Sequence, residues 1–108
     1  MEQLLYLWRS EKMGWAWLTV PDVITMDNYR RIEEDLYAVI GEGVKRIALD
    51  LGYVKFLYST AMGLLIRVQK RVHEAGGVLS LVNVSPKVRE ILESVNLHKL
   101  FTIYGTDI

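Results

Sequence analysis

The chain has 108 residues, 51% hydrophobic and 24% charged, a balance that supports one packed domain over residues 1–108 and excludes a disordered chain. Lysine plus arginine equals aspartate plus glutamate at 13 each, so no global charge draws the protein to nucleic acid or to an anionic membrane. Cysteine is absent, which rules out disulfides, thiolate metal sites and cysteine nucleophiles.

The elements follow in chain order. "QLLYLWR" (3–9) is rich in strand formers, "SEKMG" (10–14) reads as a polar turn, and "WAWLTV" (15–20) reads as a second strand, giving an N-terminal antiparallel hairpin. After the loop "PDVIT", Met26, Tyr29, Ile32, Leu36 and Ile40 recur at three and four residues, with Arg30, Arg31, Glu33, Glu34 and Asp35 in the gaps. That spacing predicts an amphipathic helix capped at Thr25 or Asp27 and stopped by Gly41 and Gly43. "VKRIALDLG" (44–52) reads as a central strand covered on both faces. "TAMGLLIRVQKRVHEAGG" (60–77) is a second helix, with a stripe of Leu64, Leu65, Val68 and Val72 and a stop at Gly76-Gly77. "VLSLVNV" (78–84) is a strand. In "SPKVREILESVN" (85–96), Ser85 serves as N-cap and Pro86 as the first helical residue. "LHKLF" forms a short turn and "TIYG" a last edge strand. Strands separated by helices imply parallel neighbours, so the fold class is α/β: a small mixed sheet of four to five strands, an antiparallel hairpin first, with three to four helices.

No enzyme constellation is visible, neither a Walker A sequence nor a G-x-G-x-x-G after a strand, and no cofactor is expected. His73 and His98 lie among charged residues and read as solvated side chains. Asp50, the one acid in an apolar strand, reads as an acceptor of backbone N–H groups at the strand end, with a general base as the alternative. Trp8, Trp15 and Trp17 concentrate on the hairpin, where they either fill the core or form an aromatic partner surface, including one for a second copy of the chain. No apolar run approaches the roughly 20 residues of a membrane span. The N-terminus lacks a secretory pattern, so a cytoplasmic location is expected.

The stretch "FLYSTAMG" (56–63) places two hydroxyls where a strand gives way to a helix. Local physics reads Ser59 and Thr60 as helix caps. A phosphate there would also meet the positive end of the helix without breaking the fold.

"FLYSTAMG", the glycine pair 76–77, "LVNVSP" and "LHKLF" together resemble the STAS domain family, the bacterial anti-sigma-factor antagonists, most strongly from about Val44 to Phe101. The resemblance implies a STAS-like fold and a non-enzymatic interaction module acting in transcription regulation. It implies a partner that is both anti-sigma factor and serine kinase, and a phosphoacceptor at Ser59, with Thr60 the less favoured hydroxyl. It assigns the partner surface to Asp22, Tyr58, Ser59, Thr60, Ala61 and Met62. Tyr58 stands where the family usually has aspartate and Ala61 where it has glycine, while Met62 and Gly63 agree with its leucine-glycine pair. STAS-like modules also serve as constitutive scaffolds or as accessory subunits of signalling and transporter complexes, which is the alternative reading.

Overall fold

The computed structural model describes residues 2–105. Its elements are β1 (Glu2–Gln3), β2 (Trp8–Lys12), β3 (Trp15–Thr19), α1 (Tyr29–Gly41), β4 (Arg46–Asp50), α2 (Ser59–Glu74), β5 (Val78–Val84), α3 (Pro86–Ser94), a 3-10 turn (Leu97–Lys99) and β6 (Thr102–Gly105). The strands form one sheet in chain order. β1, β2 and β3 pair antiparallel, and β3, β4, β5 and β6 pair parallel through the helical crossovers. This is the mixed α/β sheet expected, with five strands of four residues or more and a two-residue strand added at the hairpin edge.

The hairpin shifts relative to its sequence reading. Met13 and Gly14 form the turn, with φ of 53° and 86°. Two consecutive left-handed residues make the kind of tight turn that matches strand twist. It locks Lys12 opposite Trp15 and Trp8 opposite Thr19. The first long strand is therefore "WRSEK", and the strand formers at 4–7 are consumed in the turn that leads into it. Register outvotes propensity here.

Helix α1 also starts later than the sequence suggests. Asn28, not Thr25 or Asp27, holds the N-cap position, and its amide oxygen accepts from the Thr25 N–H at 2.8 Å. Met26 lies outside the helix and is exposed. At the other end Gly41 is the last helical residue and Gly43 takes the left-handed conformation that reverses the chain. Asp35, read as a solvent-facing gap residue, is buried. The backbone N–H groups of Leu5, Tyr6 and Leu7 donate to its carboxylate at 3.0, 2.6 and 2.8 Å. Helix α1 thereby fastens the segment between β1 and β2.

Strand β5 matches the sequence reading residue for residue, and α3 begins as read, with the Ser85 hydroxyl accepting from the Val88 N–H at 3.2 Å, but ends at Ser94, two residues short of Asn96. The core lies between the sheet and the helices. Leu18, Leu49 and Leu81 meet Leu36, Leu64, Leu65 and Val88 there. The expectation that β4 is covered on both faces holds, since Ile47, Ala48 and Leu49 are all buried, although the helices cover only one of those faces. Ala48 is buried, yet it belongs with Trp17 and Ser80 to a row that points away from the helical core.

Helices α1 and α2 are clamped across their exposed seam. Arg67 donates two hydrogen bonds to Glu33, both at 2.8 Å, and the Tyr37 hydroxyl donates to the same carboxylate. These bonds, led by the one from Arg67, hold the Glu33 carboxyl below its ordinary range. A lowered folded value means the contribution is complete above the ordinary glutamate pKa of about 4.3 and is lost as pH falls through the folded value. Arg67 is half exposed, so the clamp contributes about 0.5–1 kcal/mol after screening. Glu33→Gln is expected to cost that much in urea unfolding at pH 7. The gap between variant and parent should narrow as pH falls below the ordinary glutamate value of about 4.3 and close once it passes the lowered value of the folded carboxyl.

Candidate functional site

A turn at Gly52–Tyr53, closed by the Val54 N–H donating to the Leu51 carbonyl at 3.0 Å, and an irregular stretch over 54–58 lead from β4 to α2. Val54 and Leu57 point into the core, which forces Tyr53, Phe56 and Tyr58 outward. The Phe56 and Tyr58 rings pack against each other, centroids 4.8 Å apart. With Asp22, Val23, Gly52 and Lys55 they line a surface depression of about 450 Å³. Two loops that follow parallel strands, after β3 and after β4, thus meet at one end of the sheet, the end where α/β folds usually carry their sites.

Ser59 opens α2 at the rim of this depression. The N-cap position belongs to Tyr58, whose carbonyl accepts the first helical bond from the Met62 N–H at 3.1 Å. The cap reading of Ser59 and Thr60 is therefore corrected: both lie inside the helix, and neither hydroxyl bonds a backbone N–H among the described residues. The physical reason is that Tyr58 is still extended (φ −91°, ψ 169°), so the helix begins one residue earlier than a cap at Ser59 would allow. Ser59 is exposed. Thr60 is half-buried, its hydroxyl 3.3 Å from the Met26 sulfur. No acid occupies the first turn of α2.

Of the residues assigned to the partner surface, Asp22, Tyr58 and Ser59 are exposed and close to one another, and Thr60 adjoins them. Ala61 is buried in the core and Met62 packs against it, so neither side chain stands on the open surface. Phe56 and Tyr53 were not assigned to the partner surface from the sequence, yet they line the depression together with Val23, the neighbour of Asp22. A signal existed: three large apolar residues in a row, Phe56-Leu57-Tyr58, cannot all face inward from an extended segment.

Asp50 and the tryptophans resolve as well. The Asp50 carboxylate accepts from the Gly52 N–H at 2.8 Å, the Trp17 indole N–H at 2.9 Å and the Asn83 side-chain amide at 3.0 Å. It is the acceptor anticipated, with two side-chain donors added. Trp8, Trp15 and Trp17 lie outside the helical core, so the reading in which they fill it does not hold. His73 is exposed and His98 half-buried.

Comparison with known proteins places this geometry. The STAS domain family model matches residues 11–106. BtrV of Bordetella bronchiseptica, whose name assigns it to the anti-sigma factor antagonists, is 28% identical over 81 residues, 75% of this chain and 70% of its own. The crystal structure of a Thermotoga maritima protein, titled as an anti-sigma factor antagonist, superposes with a TM-score of 0.84 at 22% identity, covering 94% of this chain and 87% of that one. The Bacillus protein SpoIIAA in its phosphorylated form gives 0.68 at 15% identity, covering 90% and 89%. The structural likenesses speak for the fold alone. The match of the family model along nearly the whole described chain, with the strand-to-helix junction at Tyr58–Ser59 inside it, establishes that this chain belongs to the STAS domain family.

Proposed function

We propose that this protein is an anti-sigma-factor antagonist, a non-enzymatic module that docks an anti-sigma factor acting also as a serine kinase and is released by phosphorylation at Ser59. One observation carries the reading. An exposed hydroxyl with no structural duty opens α2 beside a patch of exposed apolar side chains, in a chain of this family. The apolar patch supplies contact area, and an unused hydroxyl can be modified without unpicking the fold. The naming of BtrV as an anti-sigma factor antagonist supports the same role. A cytoplasmic location belongs to this reading.

Tyr58 takes the place of the family's usual aspartate, so a kinase that recognises this site must accept a neutral ring beside Ser59. The test is incubation with the kinase that co-purifies from the native cell, with ATP, followed by mass spectrometry of the product. The expected result is one phosphate on Ser59 and dissociation of the complex. If that kinase binds but modifies neither Ser59 nor Thr60, the switch fails, the docking surface stands, and the constitutive scaffold becomes the better reading.

A further inference from the structure

The helix-free face of the sheet carries a second concavity, which shares Tyr53 with the depression beside Ser59. Parallel register sets Trp17 and Ala48 in one row and Thr19 and Asp50 in the next. Across the hairpin, Ser10 pairs with Trp17 and Trp8 with Thr19, so Trp8, Ser10 and Lys12 share that face. The resulting groove has a volume of about 590 Å³ and no helical residue in its lining. Its aromatic walls are Tyr6, Trp8, Trp17 and Tyr53. Small-molecule sites typically enclose roughly 300–1,000 Å³ behind such walls, with a few placed polar groups.

Two polar groups distinguish this groove from a bare apolar face. Asp50 is occupied by its three donors, one of them the Trp17 indole, and so fixes the plane of that ring. Lys12 is the groove's basic side chain. Its ammonium lies 4.4 Å from the Trp17 ring centroid, and among the described residues no carboxylate pairs with it. A held indole under an unpaired cation is complementary to a flat apolar ring bearing one negative charge. We propose that this groove binds a compact planar aromatic monocarboxylate, its ring against Trp8 and Trp17 and its carboxylate on the Lys12 ammonium. Asp50 keeps its own negative charge in the lining, so the groove accommodates at most one anionic group, held at the Lys12 end. Polyanions such as nucleoside triphosphates are not matched.

The test follows the indole N–H signals of the 15N-labelled full chain by NMR during titration with 2-naphthoate, and with neutral 2-naphthamide of the same shape. Saturable shifts of the Trp8 and Trp17 signals are expected, with the acid about tenfold tighter than the amide, as one well-placed charge-assisted bond allows. Lys12→Gln should abolish that preference and leave the amide's affinity and the remaining spectrum unchanged. The proposal is overturned by any of three results: no saturation at millimolar probe, equal affinity for acid and amide, or a groove filled by a second copy. The last would appear as concentration-dependent indole shifts without probe, with a dimer mass in sedimentation.

Discussion

Ser59→Asp is expected to weaken docking of the anti-sigma partner by roughly 30- to 1,000-fold, the equivalent of about 2–4 kcal/mol, while leaving the fold as stable as before or slightly more so. The two effects have opposite signs because they arise from two environments of one side chain. In the free protein, position 59 is the first residue of α2, whose first turn carries no acid. A carboxylate there faces unsatisfied backbone N–H groups and the positive end of the helix, which stabilises by about 0.3–1 kcal/mol. In the complex the same charge would sit among Phe56, Tyr58, Val23 and Met26, all exposed and apolar. A partner that covers them must strip water from the new charge without offering it a counter-charge. Ser59→Ala should leave the fold as stable as the parent, since among the described residues the hydroxyl bonds no backbone N–H, and it should keep affinity because it adds no charge to the interface. Calorimetric binding together with thermal unfolding reads both signs. Equal affinities for Ser59→Asp and the parent would remove charge at this position as a switch.

The sequence made some of this legible and hid the rest for physical reasons. Strand β5 and the start of helix α3 were read correctly to the residue because those limits are set locally: Gly76-Gly77 ends one element, and Ser85-Pro86 begins the next with a capping bond spanning three residues. The first strand was misplaced because its limits are set by pairing, and the turn at Met13–Gly14 dictates partners that composition does not reveal. At the site, the junction was found from its residue types. Only the backbone shows that Tyr58 is still extended, which turns Ser59 from a capping residue into an idle hydroxyl. Phe56 was not assigned to the surface, because its adjacency to Val23 on the other loop depends on β3 and β4 lying side by side. Asp35 was the furthest from legible. It sits in a run of charges, "RRIEED", that looks wholly solvated, and its partners lie about 30 residues earlier.

That hidden aspartate carries the largest expected effect on stability. Asp35→Ala is predicted to cost about 3–5 kcal/mol, a large part of the roughly 5–15 kcal/mol that holds a domain of this size together. Three N–H groups converge on its carboxylate, and the one from Leu7 is fully buried. Each donor left without an acceptor costs about 1–3 kcal/mol, reduced where the chain can relax toward water. Leu5 is exposed and its amide can relax; Leu7 is locked into the core and its amide cannot. Asp35→Asn is expected to recover little, because an amide offers one acceptor oxygen where two are used and turns an N–H₂ group toward backbone donors. The melting temperature of Asp35→Ala should fall by more than about 12 °C, at roughly 4–8 °C per kcal/mol for a domain near this length. Hydrogen exchange should localise the damage, with the amides of Leu5, Tyr6 and Leu7 losing protection before those of β4 and β5. A variant that melts within a few degrees of the parent would show that the 4–7 turn is held by its apolar contacts alone. In that case the burial of Leu7, rather than the carboxylate, would be what sets the path of the chain into β2.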